Sequence, residues 1–85
     1  MTDGQEGGVM NLAKFTQYMI FRLVEQKPKT AVWNVLSRSN GGLLGIIKWH
    51  SPWRQYCFFP EPDCVFNNSC MMTIINFIKE VKGAT

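Results

Sequence analysis

The sequence predicts an α+β domain with the element order αβββα, in which a three-stranded antiparallel β-meander lies between an N-terminal helix and a C-terminal amphipathic helix. Two observations lead to this prediction. Turn-forming residues at positions 40–42 and 51–52 separate three segments that are rich in β-branched and aromatic side chains. Near the end of the chain, apolar residues recur at helical spacing over residues 71–81.

The composition is that of one ordinary globular domain, with 85 residues, 46% hydrophobic and 18% charged. Residues 1–10 have no apolar periodicity, so we expect a disordered tail there and a single domain over residues 11–85. Met10 is then a second candidate for the natural start, beside Met1. The opening residues are acidic and Gly-rich, and no apolar stretch is long enough to span a bilayer, so neither a signal peptide nor a membrane anchor is expected.

The first predicted helix begins near Asn11, which can cap it, and ends before Pro28. Leu12, Phe15, Met19 and Leu23 would share one face of that helix. Residues 18–24 are also rich in aromatic and β-branched side chains, so a strand formed through tertiary contacts stays open as the alternative.

The predicted strands cover residues 31–38, 43–50 and 53–59. Tight turns would pair residues whose numbers sum to about 81 in the first hairpin and about 103 in the second. Alternation then defines two sheet faces, and a one-residue bulge would exchange part of them. The first face carries Trp33, Val35, Leu44, Ile46, Cys57 and Phe59, and the second carries Val32, Asn34, Leu36, Gly45, Ile47, Trp49, Arg54, Tyr56 and Phe58.

The C-terminal helix has clear end signals, because Asn67 or Asn68 can cap its start and Gly83 can end it. Lys79 and Lys82 lie in its last turns, where positive charge suits the helix dipole. Its apolar stripe is Met71, Ile74, Ile75, Phe77, Ile78 and Val81.

Residues 44–60 contain a G-x-I-x-W pattern and then a W-R-x-Y-x-F-x-P pattern, and Cys70-Met71 and Phe77-Ile78 follow in the last helix. Over residues 44–81 the chain resembles a group of short uncharacterised proteins from phages and prophages. The resemblance implies a small accessory protein of a phage or other mobile element, located in the host cytoplasm. It implies no activity and no site residues.

The candidates for a metal site are His50, Cys57, Cys64 and Cys70. Their intervals of six, six and five residues lack the paired cysteines of zinc knuckles, so we expect Cys57 and Cys70 to pack as small apolar residues. An odd number of cysteines also indicates a reducing, cytoplasmic location. His50 and Cys57 are several residues apart along their hairpin, which disfavours nucleophilic catalysis, so neither a cofactor nor an enzymatic activity is expected.

Both predicted sheet faces are rich in apolar residues, whereas one helix covers only one face. We expect the C-terminal helix on the face with Val35, Leu44 and Ile46. The other face is covered by the N-terminal helix, or it binds a partner through an aromatic and basic surface formed by Lys48, Trp49, Arg54, Tyr56 and Phe58.

The expected function is therefore a non-enzymatic module that binds a host or phage protein through that surface. The first alternative is a nucleic-acid-binding module that uses the same surface, because exposed rings can stack on bases while Lys48 and Arg54 neutralise phosphates. A net charge of +3 is compatible with either partner. A small structural zinc protein is the second alternative, and a homodimer is compatible with the same surface.

Overall fold

A computed structural model describes residues 13–84 as a five-stranded antiparallel sheet with one helix packed on one face. The predicted tail, residues 1–10, lies outside the described residues. Each strand pairs with the next one along the chain, so β1 and β5 are the edges of the sheet. The elements are β1 (Ala13–Phe15), β2 (Met19–Gln26), β3 (Ala31–Ser37), β4 (Leu43–His50), β5 (Gln55–Pro60) and α1 (Asn68–Ala84).

The predicted αβββα order with a three-stranded sheet is wrong, because residues 13–26 form β1 and β2 instead of an N-terminal helix. Met19 and Leu23 fit the spacing of the predicted helix, but together with Phe21 they also fit the every-second-residue spacing of a strand. All three side chains pack into the core. Pairing of β2 with β3 decides in favour of a strand over a helix, since it places Phe21 opposite Val35. Tertiary contacts of this kind override local helix preference.

The turn between β1 and β2 is held by Thr16. Its backbone N–H donates to the carbonyl of Met19 at 2.8 Å, and its hydroxyl oxygen accepts the Met19 N–H at 3.1 Å. The guanidinium of Arg38 donates to the Thr16 carbonyl at 2.9 Å and so links this turn to the loop after β3. At the same edge of the sheet, Lys14 forms an ion pair with Glu80 of α1.

The two predicted central hairpins are present. In the first, Gly41 has a φ of +75° and the Asn40 side chain accepts the Gly42 N–H at 2.8 Å. The second loop spans residues 51–54, where Arg54 has a φ of +56° and donates its N–H to the His50 carbonyl at 2.8 Å. This loop is two residues longer than the predicted turn, which shifts the pairing but keeps the face assignment of β4 relative to β5.

A bulge at Leu44 changes the face assignment of the first hairpin. Val35 lies opposite Gly45 and Leu36 lies opposite Leu43, so Leu44 has no partner on β3. Trp33 consequently shares a face with Ile47, its cross-strand partner, rather than with Ile46. The predicted combination of Trp33 and Val35 with Ile46, Cys57 and Phe59 on one face is therefore wrong.

The helix α1 packs on what we call the helix-covered face, whose centre is formed by Phe21, Trp33, Val35, Ile47 and Tyr56. The ring of Phe77 stacks on Phe21, with centroids 4.2 Å apart and planes 7° apart. It also makes an edge contact with Trp33 at 4.9 Å. The fully buried side chains of the domain lie on this face, namely Met19, Phe21, Val35 and Ile47.

The start of α1 follows the prediction, because the Asn67 side-chain oxygen accepts the Cys70 N–H at 2.9 Å. The helix continues through Gly83 to Ala84, beyond its predicted end. Of the predicted stripe, Met71 and Ile75 are 46% and 43% exposed. The side chains that face the sheet are Cys70, Ile74, Phe77, Ile78 and Val81.

Replacing Phe77 by Ala should lower the free energy of unfolding by about 3–5 kcal/mol, because both ring contacts and the buried volume are lost. This approaches the whole stability of a small domain. Urea denaturation followed by circular dichroism measures the loss. Met72→Ala on the exposed side of α1 is the control and should change stability by no more than about 0.5 kcal/mol. Equal effects of the two changes would contradict the described packing.

Gly45→Ala should destabilise the sheet by about 1–3 kcal/mol through overpacking. A Cβ atom at Gly45 would lie 2.5 Å from a ring carbon of Phe58 and 2.7 Å from the backbone oxygen of Phe59, and the latter cannot move alone. Gly42→Ala is the matched control, since its Cβ would meet only the flexible Asn40 side chain, at 3.1 Å. A smaller loss for Gly45→Ala than for Gly42→Ala would contradict this register.

Candidate functional site

The sheet surface opposite α1, which we call the open face, has no second helix or sheet over it within residues 13–84. Cross-strand register and side-chain alternation define its members. They include Phe15, Ile20, Arg22, Val32, Asn34, Leu36, Leu43, Ile46, Lys48, Cys57 and Phe59. All five strands therefore contribute to this surface.

The centre of the open face is mainly aliphatic. Ile20 lies opposite both Phe15 and Leu36, and Ile46 lies opposite Asn34 and Phe59. Five strands about 4.8 Å apart and about 20 Å long give the face an extent on the order of 400 Å². Continuous apolar patches of about 300–600 Å² are the largest that typical monomers expose, and such patches are often functional.

Cationic side chains cover the aromatic rings at both ends of this face. The ammonium of Lys48 lies over the Phe59 ring at 4.9 Å from the centroid, and the guanidinium of Arg38 lies over the Phe15 ring at 5.8 Å. Arg22 adds a third positive charge on β2. Glu25 lies on the same side as Val32, next to the bulge in β2, so positive charge predominates on the open face.

The end of the β4–β5 hairpin extends the open face with further rings. His50 makes edge contacts with Trp53 at 5.0 Å and with Phe59 at 5.6 Å between centroids. Trp53 is 66% exposed in the loop between the strands. Aromatic rings held rigidly by neighbours but left accessible are typical anchors of binding surfaces.

The structure brings Trp49, Tyr56 and Phe58 of the predicted binding surface together, but on the helix-covered face. Tyr56 is buried, and its hydroxyl accepts the Ala31 N–H at 3.0 Å. Phe58 is half-buried and makes an edge contact with Phe66 at 5.3 Å. Trp49 makes an edge contact with Tyr56 at 5.5 Å and is 40% exposed.

The other two predicted residues lie elsewhere. Lys48 is on the open face, and Arg54 is exposed in the loop between β4 and β5. The five predicted residues therefore do not form one surface. Phe15, Ile20 and Arg22 of the open face were missed, because residues 13–26 were expected to be helical. The alternation of Met19, Ile20, Phe21 and Arg22 between core and open positions was the available signal.

The four candidate metal ligands lie in four different parts of the chain, with His50 at the end of β4. Cys57 lies in β5, Cys64 lies in the loop before α1, and Cys70 lies in the first turn of α1; all three are half-buried and free. In the described part of the chain, no three His, Cys, Asp or Glu residues are grouped so that they could hold a metal ion.

A cleft of about 320 Å³ lies where the N-terminal end of α1 meets the sheet. None of the residues that line it is charged: Tyr18, Met19, Ser37, Ser39, Leu44, Val65, Phe66, Asn67 and Cys70.

No helix within residues 13–84 is sufficiently long and apolar to cross a bilayer.

Sequence comparison finds a phage relative. An "Uncharacterized 9.3 kDa protein" of Acholeplasma phage L2 is 33% identical over 69 residues, which cover 80% of this chain and 88% of the relative. The chain belongs to the family of this phage protein. The expected kinship with phage proteins is thus supported, whereas the W-R-x-Y-x-F-x-P pattern itself is untested. No family model matches the chain, and no solved structure matches it significantly.

Tyr56→Phe should lower the free energy of unfolding by about 1–3 kcal/mol, because the buried Ala31 N–H would lose its acceptor. Thermal and urea denaturation measure the change. Tyr18→Phe removes a hydroxyl from a side chain that is 61% exposed, and it should be nearly neutral. If Tyr56→Phe is also neutral, Tyr56 does not have the structural role that the geometry gives it.

Proposed function

We propose that this protein is a small non-enzymatic phage accessory protein whose open face binds an acidic, partly apolar surface of a host or phage protein in the host cytoplasm. The observation that carries the proposal is a five-stranded sheet with apolar residues on both faces and a described helix on only one of them. Membership of a phage protein family supports the assignment to a phage.

The apolar centre alone would not secure tight binding. Even if the whole face of about 400 Å² were apolar, removing it from water would contribute no more than about 10 kcal/mol at about 25 cal/mol per Å². Association costs about 4–15 kcal/mol in translational and rotational freedom, which offsets much of that gain. The charged residues around the centre therefore decide which surfaces bind and which do not.

Those charges favour an acidic partner over a second open face. Arg22, Lys48 and Arg38 outnumber Glu25 on this side of the sheet. Two open faces stacked on each other would oppose like charges in an interface that excludes water, which is unfavourable. An acidic surface would instead pair with these cations and cover the aliphatic centre.

Protein is favoured over nucleic acid by the state of the rings. Base stacking needs free ring faces, but on the strands one side of the Phe59 ring and one side of the Phe15 ring already hold Lys48 and Arg38. The accessible ring of Trp53 lies in the loop beyond the strands. The side chains between Phe15 and Phe59 are mainly aliphatic. They suit the apolar side chains of a protein better than the planes of bases.

A non-enzymatic role is part of the proposal. The single histidine, His50, contacts the rings of Trp53 and Phe59 rather than a nucleophile. The cleft beside α1 offers no charged group to a substrate. Neither region has the paired nucleophile and base that covalent catalysis uses.

Lys48→Glu should weaken binding of the partner at least about tenfold, because one favourable charge contact becomes repulsive. The partner is to be captured from the infected native host, identified by mass spectrometry, purified and titrated by calorimetry. Lys79→Glu reverses an exposed lysine on α1, on the other side of the sheet, and should leave the affinity unchanged. Both variants must unfold at the urea midpoint of the wild type.

Equal affinity of the wild type and Lys48→Glu would overturn the placement of the interface on the open face. Single-stranded DNA and RNA oligonucleotides test the nucleic-acid alternative. Tight oligonucleotide binding that falls steeply with salt and is weakened by Lys48→Glu would replace a protein partner by nucleic acid. Crosslinks from the open face to residues 1–12 of the same chain would instead identify the protein's own N-terminal segment as the occupant.

A further inference from the structure

Among residues 13–84, the edge strand β5 has little of the usual protection against pairing with another strand. Natural edges are made short, carry charged side chains or prolines, or are covered. The opposite edge follows this rule, since β1 has three residues and its Lys14 is paired with Glu80 of α1. β5 has six residues, Gln-Tyr-Cys-Phe-Phe-Pro, and none of them is charged.

The backbone groups that β5 directs outward follow from its ladder with β4. Glu61 continues the register of β5 and donates its N–H to the Leu44 carbonyl at 2.9 Å. Because hydrogen-bonding pairs alternate along an antiparallel ladder, Tyr56, Phe58 and Pro60 have their backbone groups turned away from β4. Pro60 fits this pattern, since it has no N–H to donate.

Tyr56 and Phe58 therefore direct two N–H groups and two carbonyls to the outside of the sheet. Among residues 13–84, no hydrogen bond from outside β4 reaches the backbone N–H or carbonyl of either residue. The bond from the Ala31 N–H on the helix-covered face goes to the side-chain hydroxyl of Tyr56. Four backbone groups in a row on an uncharged strand form a template for a further strand.

We propose that β5 pairs with β5 of a second copy, antiparallel about a twofold axis at Cys57, to give one continuous ten-stranded sheet. In this register Tyr56 of each copy lies opposite Phe58 of the other. The four outward groups of Tyr56 and Phe58 in each strand are then paired, which gives four hydrogen bonds across the axis. Cys57 lies opposite Cys57 of the second copy.

Neighbouring registers leave an outward group of Tyr56 or Phe58 without a partner. An axis at Phe58 would place Tyr56 opposite Pro60, which has no N–H for the Tyr56 carbonyl. An axis at Tyr56 would place Phe58 opposite Arg54, whose N–H already donates to His50. Only the axis at Cys57 pairs every outward group of Tyr56 and Phe58.

A second copy is a suitable occupant because a neutral strand opposes itself without repulsion, even in a chain of net charge +3. A twofold axis also requires a self-complementary edge, and this register provides one. The two open faces would lie on the same side of the joined sheet. The dimer does not depend on the proposed binding of an acidic protein.

The test uses the full chain with Cys64→Ser and Cys70→Ser, which leaves Cys57 as its single thiol. Opposed residues in a pair without direct hydrogen bonds have Cα atoms about 4.5 Å apart, within the range that a disulfide spans. Diamide, which takes two electrons and two protons from two thiols, should give a dimer linked through Cys57. Peptide mapping identifies the link, and adding Cys57→Ser should abolish it.

Sedimentation equilibrium without oxidant provides the second measurement. The wild type should dimerise across a concentration series, and Cys57→Glu should shift it to monomer because two carboxylates would meet at the axis. This change is tolerated in the monomer, where Lys48 lies opposite Cys57 on β4. Cys64→Glu, in the loop before α1, is the control and should still dimerise.

A chain that stays monomeric and forms no Cys57 link would overturn the proposal. A dimer that survives Cys57→Glu would also overturn it, because the interface would then lie elsewhere. Neither result bears on the titration of Lys48→Glu against an acidic partner. Failure of the dimer and failure of the proposed function are therefore distinguishable.

Discussion

The contact of Phe77 with Phe21 and Trp33 fixes where the single helix lies on the sheet, and other features of the domain depend on it. Phe21 comes from β2 and Trp33 from β3, so one helical ring holds two strands in place. The indole N–H of Trp33 is buried and has no hydrogen-bond acceptor among the described residues. Trp33 is therefore held by ring packing rather than by a hydrogen bond. Because the helix lies on this face, the apolar residues on the opposite face of the same strands are left uncovered.

About half of the architecture could be read from the sequence. Asn40 and Gly41 marked the first hairpin, and Asn67 marked the helix start, because the physical cause in each case is local. Residues 13–26 could not be assigned in this way. Their apolar residues fit helical and strand spacing at once. The choice between helix and strand depends on pairing with β3, which is a non-local interaction. Phe21 opposite Val35 is a contact that no local pattern specifies.

The candidate site was harder to predict for a related reason. Alternation divides the residues of each strand between two faces. Which face of β3 continues into which face of β4 depends on the register between the strands. The unpaired Leu44 shifted that register by one residue. The sequence thus indicated an apolar surplus correctly but assigned Tyr56 and Phe58 to the uncovered side. Ile46 and Phe59 occupy that side instead, and Lys48, one of the predicted residues, lies beside them.

The strictly consecutive order of the strands has a consequence for how the chain acquires its structure. Every strand pairs only with its sequence neighbour, so each hairpin closes a short loop, and the contact order is low for a mainly β protein. Hairpins can therefore form one after another as the chain leaves the ribosome. The helix that seals the core is the last element to emerge, and until it docks, both sides of the nascent sheet are exposed to chaperones and to other nascent chains.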